Sequence, residues 1–367
     1  MTENTSQAAG PAPAAEPIPL GQAGYLVRVA ARAPSVHNTQ PWRFKICEQA
    51  IELYADGSRQ LRTDPVGREM LISCGAALYG LRLAVHSLGH VPEVELFPEP
   101  EPGRPLFPPA GLRLLARVRL GSVSPLNPAE RKMLDAVPHR HTHRGPFEPV
   151  PLPAGLLPDL QADAIAEGAT LAAVDLEPAR PKLAAIFATA VRGQDLDPVA
   201  RAEIVRWTRE EGSQSRDGVP AHAFPARPGR KPGWVPERDF DLGRGLGLQP
   251  DGGSAAAVTA VLVTAGDSEE DWLRAGQALN RLLLHAASQW SFARLQTQPL
   301  QAAAARTLIR SRLALPGAPQ LLLQFGVSRT ARSVGRRPAA DLLQDGDLGP
   351  GPWGRPTLLR PALLLVS

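Results

Sequence analysis

Cysteine, lysine and aromatic side chains are scarce in this chain of 367 residues, and so are long apolar runs. Two cysteines, Cys47 and Cys74, are too few for a disulfide framework, which fits a reducing, cytoplasmic setting. Lysine occurs only at Lys45, Lys132, Lys182 and Lys231, so the positive charge is nearly all arginine. The net charge of +4 and the pI of about 9.4 are thinly spread. No basic block alternates with aromatics, which argues against nucleic acid as a partner. No apolar run approaches the roughly 20 residues of a membrane span, so no membrane role is expected. Residues 1–17, rich in Ala and Pro without a basic start or apolar core, predict a disordered tail rather than a signal peptide. There is no G-x-S-x-G elbow, no P-loop and no Rossmann glycine pattern after a strand. Gly243-Arg244-Gly245-Leu246-Gly247 lacks the flanking strand and helix and reads as loop.

What is present is one very polar loop. A helix-like run from Gly24 to Arg32 ends before Pro34, because the residue preceding proline is pushed out of the α region. Ser35, His37, Asn38, Thr39 and Gln40 follow, and Pro41-Trp42 turns into a strand-like stretch, Arg43 to Cys47. So many donors and acceptors between a helix and a strand suit a flat polar ligand; they equally suit a connector that caps its own backbone.

An internal repeat organises the rest. The helical segments Cys74-Gly75-Ala76-Ala77-Leu78 and Ala275-Gly276-Gln277-Ala278-Leu279 match at an offset of 201 residues, with identities at Gly75/Gly276, Ala77/Ala278, Leu78/Leu279, Leu81/Leu282, Leu83/Leu284 and Ser87/Ser288. Both are apolar with small residues early, as close helix packing requires. Strand-like segments follow each: Val94–Phe97 and Leu112–Leu120 in the first half, Leu321–Gly326 in the second. The second half has its own polar opening, Arg140-His141-Thr142-His143-Arg144, and closes on Gly335-Arg336-Arg337-Pro338.

The loop Ala33-Pro34-Ser35-Val36-His37-Asn38-Thr39-Gln40-Pro41-Trp42 resembles the A-P-S-x-x-N-x-Q-P-W loop of nitroreductase-like flavoproteins. The Arg140 segment resembles the R-x-[ST]-x-[RK] start of that fold, and Pro319–Gly326 with Arg336 resembles its last strand and phosphate-binding arginine. Each half holds one complementary piece, an arrangement similar to the Acg-like family of FMN-binding proteins. Thr63–Glu69 and Asp271–Leu279 resemble further signatures of that family.

The resemblance implies an α+β protein, a nitroreductase-like fold duplicated in one chain as a pseudo-dimer, with central antiparallel sheets flanked by helices. Its expected divisions are a tail (1–17), a first half (18–135), a second half (136–346) with a lid-like insertion (206–248), and a C-terminal extension (347–367). It implies FMN as cofactor, held by Ser35, His37, Asn38, Gln40, Arg140, Thr142, Arg144, Gln301, Ala302, Arg336 and Arg337. Among these, Arg140, Arg336 and Arg337 would meet the phosphate, and Arg144 the ring edge that gains negative charge on reduction. Many relatives place Glu where this chain has Gln301, which removes a charge near the reactive ring nitrogen. The implied function is electron transfer from NAD(P)H to a small electrophilic acceptor at one site in a monomer. The alternative is FMN storage or redox sensing without turnover.

Two histidine groups compete for attention. His139, His141 and His143 alternate as strand metal ligands could, but Arg140 and Arg144 beside them repel a cation. His86 and His90 have zinc-like spacing without the glutamate of H-E-x-x-H. No metal site is expected.

Overall fold

The structure, a computed structural model, describes residues 20–47, 49–98, 111–145, 147–224, 240–242, 257–330 and 334–344. The expected tail 1–17 and extension 347–367 lie outside the described residues, as do 225–239 and 243–248 of the insertion.

The first half runs α1 (Leu20–Ala30), β1 (Trp42–Cys47), β2 (Ala50–Asp56), α2 (Arg68–Ser87), β3 (His90–Leu96), β4 (Leu112–Val123) and α3 (Pro128–Ala136). The second runs α4 (Leu156–Ala166), β5 (Ala169–Ala173), α5 (Leu176–Leu196), α6 (Pro198–Trp207), β6 (Thr208–Arg209), β7 (Val219–Pro220), β8 (Val258–Thr264), α7 (Glu269–Ser288), β9 (Ser291–Gln296), α8 (Ala303–Arg312), β10 (Ala318–Val327) and α9 (Ala339–Leu342). Strands β1–β4 form one antiparallel sheet in the order β1-β2-β4-β3; β5, β8, β9 and β10 form another in the order β5-β8-β10-β9. The two orders are the same once the strands of each half are counted in sequence, and in each a 20-residue helix follows the second strand. This is an α+β fold built on antiparallel sheets.

Helices α2 and α7 lie at the 201-residue offset from end to end and cross at their repeat glycines. A Cβ on Gly276 would stand 2.0 Å from the Ile72 carbonyl oxygen, and one on Gly75 would stand 2.1 Å from that of Leu273. Ile72 and Leu273 are themselves related by the offset, so the contact is reciprocal, as across a two-fold axis. Only hydrogen fits at either position.

The helix α2 corrects the expectation about apolar runs. By length and composition it could cross a membrane, yet 83% of its most apolar window is buried inside the fold. It is apolar on all sides because it is surrounded by protein: α1, α7 and both sheets contribute to the main core around it.

The insertion begins as structured chain. Thr208–Arg209 and Val219–Pro220 pair in parallel, and Val219, Ala221, Ala223, Phe224 and Phe240 form a small apolar cluster with Ile204. Asp217 binds both Arg59 and Arg209, and these guanidiniums hold its carboxyl down at about 2 despite desolvation. From α6, the Glu203 carboxylate accepts the backbone N–H groups of Arg62 and Thr63 at 2.6 and 3.1 Å. The insertion is thereby tied to the first half.

Candidate functional site

Helix α1 ends at Ala30, two residues short of the expected Arg32, and the polar loop that follows is wound unusually tightly. His37, Asn38 and Gln40 all have left-handed backbone angles, φ 48°, 54° and 49°. Non-glycine residues adopt that region at a cost, so the loop must be held by its neighbours. Ser35 Oγ accepts the Gln40 N–H at 3.0 Å, and Ser73 Oγ on α2 accepts the Val36 N–H at 3.3 Å. Asn38 Nδ2 donates to the carbonyls of Gly218 and Gly335; Gln40 Nε2 donates to that of Arg216, and its Oε1 accepts the Arg337 N–H. Gly218 suits this docking: its φ is +75°, and a Cβ there would lie 2.8 Å from the Trp207 carbonyl oxygen.

Beside the loop lies an open cavity whose free space, counting the solvent at its mouth, is about 950 Å³. Its wall comes from both halves: Pro34 to His37 and the start of α2 (Arg68, Glu69, Ile72, Ser73) from the first; Thr142 to Arg144, Leu279, Arg294 to Gln298, Gln320 and Leu321 from the second, with Phe240 of the insertion. Thr142 is positioned by a bridge to Ala293 beside β9, and the Arg144 guanidinium lies 5.6 Å from the centre of the Phe240 ring. His37 packs edge-on to the same ring at 5.5 Å.

One end of the site is cationic. Arg140, 5% exposed, donates one N–H to the Arg32 carbonyl, while its Nε and Nη1 are buried without partners. Half-buried Arg336 donates to the Arg32 and Ala33 carbonyls, and its Nε too is buried and unpartnered. Among the described residues Arg32, Arg140 and Arg336 form no ion pair. Desolvation and then the charge of Arg32 push Arg140 down to about 10. Desolvation, then the charges of Arg140, Arg32 and Arg144, holds Arg336 well below its ordinary value. Three crowded cations, two of them with orphaned donors, at the Arg32 and Ala33 carbonyls just before Pro34, suit an anion with several oxygens.

The opposite end is balanced. Arg68, 3% exposed, donates Nε to Gln320 Oε1 at 2.9 Å. Gln320 donates to Thr264 and Asp267, and Arg306 closes the group on Asp267 at 2.9 Å. Asp64 caps the Met70 N–H, and its carboxyl is raised to about 7 by desolvation and then by the charge of Glu69. Glu69 accepts a 2.7 Å bond from Gln301.

Of the residues expected at the site, Ser35, His37, Thr142 and Arg144 line the cavity, while Arg140 and Arg336 lie outside the lining and bond the carbonyls just before Pro34. Asn38 and Gln40 spend their amides on the insertion and the 335–337 segment. Arg337 donates to the Asp341 carbonyl. Gln301 reaches the cavity wall through Glu69, and Ala302 is the exposed residue before α8. Sequence reading missed Arg68, Glu69, Ser73, Arg294, Gln298 and Gln320, although Arg68 and Glu69 lie inside the Thr63–Glu69 signature.

The histidines face rings and carbonyls. His139 stacks on Trp290 at 5.3 Å, His143 on Phe147 at 4.6 Å, and His141 bonds the His139 carbonyl. Burial pushes His141 down to about 4. His86 pairs with Glu130, and His90 with the Gly121 carbonyl.

Comparison with known proteins places these features. Residues 14–64, which include the polar loop, match the Nitroreductase family. A Mycobacterium tuberculosis protein named "Putative NAD(P)H nitroreductase" is 34% identical over 310 residues, 82% of this chain and 83% of its own length. "Putative NAD(P)H nitroreductase acg" of the same organism is 28% identical over 303 residues, covering 82% and 88%. Among solved structures, the FMN-dependent nitroreductase NfnB from Mycobacterium smegmatis in complex with NADPH aligns at 15% identity and a TM-score of 0.34. It covers 57% of this chain and 96% of that one.

Proposed function

The chain belongs to the nitroreductase family, in its Acg-like branch, and from that premise we propose that it binds one FMN between its halves and passes electrons from NAD(P)H to a small electrophilic acceptor. The observation that carries the cofactor is the set of orphaned guanidinium N–H groups on Arg140 and Arg336, which a phosphate would satisfy. Ser35 and Thr142 offer hydroxyls in the cavity wall, which suit a ribityl chain. When bound, the flavin supplies the two-electron chemistry. The protein's part is to orient it, to exclude water through Phe240 and the insertion, and to set the charge around it. Arg144 adds a fixed positive charge at the cavity wall.

The common strand order, the equal helices and the reciprocal glycine contact support a duplicated architecture, a pseudo-dimer in one chain. The distribution of polar segments supports a single site: the serine loop belongs to the first half and the arginines to the second. Flavin released from purified protein should therefore approach one FMN per chain; a ratio near two defeats the single-site reading.

A second reading, FMN held without turnover, is favoured by the anchoring of the insertion through Asp217, Asn38 and Gln40. NAD(P)H oxidation by the loaded protein with a quinone or nitroaromatic acceptor separates the two. Sustained turnover supports the enzyme; reduction of bound flavin without turnover, or none at all, supports the storage protein.

A further inference from the structure

Glu69 opens α2 and lines the cavity, yet only 6% of it is exposed. Its Oε2 accepts the 2.7 Å bond from Gln301 Nε2, and its Oε1 is buried without a partner. A buried carboxylate oxygen lacking a donor is expensive, more so than a neutral one. The charged groups around it are committed elsewhere: Arg68 to Gln320, Arg306 to Asp267 and the Leu300 carbonyl, Asp267 to Trp272, and Asp64 to the Met70 N–H. Glu69 belongs to the wall of the cavity, and Oε1 is its oxygen without a donor.

Gln301 is built to hold this carboxylate. Its Oε1 accepts from Gln194 on α5, which leaves its Nε2 to face Glu69. A second carboxylate at 301 would stand against the first at this separation, and the pair could then persist only by sharing a proton. The neutral amide at 301 and the acid at 69 are complementary: the carboxylate of this end comes from the first half of the chain.

We propose that Glu69 is the hydrogen-bond acceptor of the site, its Oε1 taking an N–H at the edge of the bound flavin ring, with Gln301 the positioning residue that aims it. The assignment rests on the flavin-binding reading above. A negative charge there opposes reduction of the ring, against the pull of the cationic end, so the bound flavin's potential reports on it directly.

The test is a dye-linked redox titration of the FMN-loaded chain across pH, with FMN affinity measured alongside. Glu69→Gln should favour reduced over oxidised flavin roughly tenfold, read as a rise of about 30 mV in a two-electron couple. The exchanged pair Glu69→Gln/Gln301→Glu returns the charge to the same spot and should bring the potential back toward wild type. Gln301→Glu alone, which leaves Glu69 in place should the first variant misfold, should add a proton-linked step to the potential's pH profile. A Glu69→Gln potential equal to wild type at every pH, with FMN bound, overturns the assignment and makes Glu69 a structural residue. So does a Gln301→Glu profile that runs parallel to the wild-type one. A wild-type chain that takes up no FMN sinks the flavin reading itself, and the Glu69 assignment with it.

Discussion

The two ends of the cavity handle buried charge in opposite ways. Around Arg68 each cation has an anion or a well-placed amide, and Gln320 links the set into one network. Around Arg140 and Arg336 there are cations and carbonyl oxygens, and among the described residues no acid. Burial is costly for an ion pair and costlier for an unpaired ion. The first end is therefore balanced in charge in the empty protein, although Glu69 Oε1 still lacks a donor. The second is balanced only with an anion in it.

Substitutions at the two ends should consequently have opposite effects on the empty chain. Arg68→Met leaves the buried Gln320 Oε1 and carbonyl without their donor, and should cost about 1–3 kcal/mol of stability; urea titration of the flavin-free protein measures it. A loss below about 1 kcal/mol would remove the contrast. Arg140→Met at the other end should raise the urea midpoint of the empty protein by relieving crowded charge, while weakening FMN binding about 10- to 100-fold, or roughly 1.5–3 kcal/mol. Fluorescence titration with FMN checks the second half of that statement; unchanged affinity in both Arg140→Met and Arg336→Met would move the phosphate elsewhere.

A pH dependence sharpens the contrast further. The Asp64 carboxyl is raised to about 7 from an ordinary 3.8, so between those values the folded chain keeps a proton that the unfolded chain gives up. Its contribution to stability is present below about 4 and declines as pH rises through 7. Asp64→Asn retains the acceptor for the Met70 N–H and loses the titration. Urea midpoints from pH 4 to 8 should fall less steeply in the variant, by about 1–2 kcal/mol over the window; parallel slopes would contradict the assignment. The smallest effect is at the cavity wall. Arg144→Gln should lower the flavin potential by about 20 mV, equivalent to roughly 1 kcal/mol, with FMN still bound; a raised potential would place Arg144 away from the ring.

Much of this arrangement could be read in the sequence. Apolar helical patterning located α2 and α7, and their early small residues pointed to close helix packing; that the two helices meet each other at matching glycines came only from the structure. Pro34 marked the end of α1, and the arginines of the 140 and 336 segments were singled out by their surroundings rather than by residue type. Arg68 and Glu69 escaped because adjacent charges at the start of a helix ordinarily lie in solvent, where they interact with its dipole. Only tertiary packing reveals that this helix start is buried. Asn38 and Gln40 show the reverse limitation: an amide in a polar loop serves a backbone carbonyl as readily as a ligand, and here the carbonyls of Arg216, Gly218 and Gly335 take them. The acid opposite Gln301 could not be seen from position 301, because its source lies 232 residues away.

The crossing of α2 and α7 has a consequence for descent. Where two backbones touch through a pair of glycines, the pair is inherited as one character: a methyl group acquired at either position displaces the other helix, and no change at the partner can make room for it. On the duplicated architecture proposed above, the halves elsewhere were free to specialise, one keeping the serine loop and the other the arginines, because a joined chain need not be its own mirror. At positions 75 and 276 that freedom ends. These two sites, remote from any reactive group, should be among the slowest to vary in lineages that keep the two halves joined.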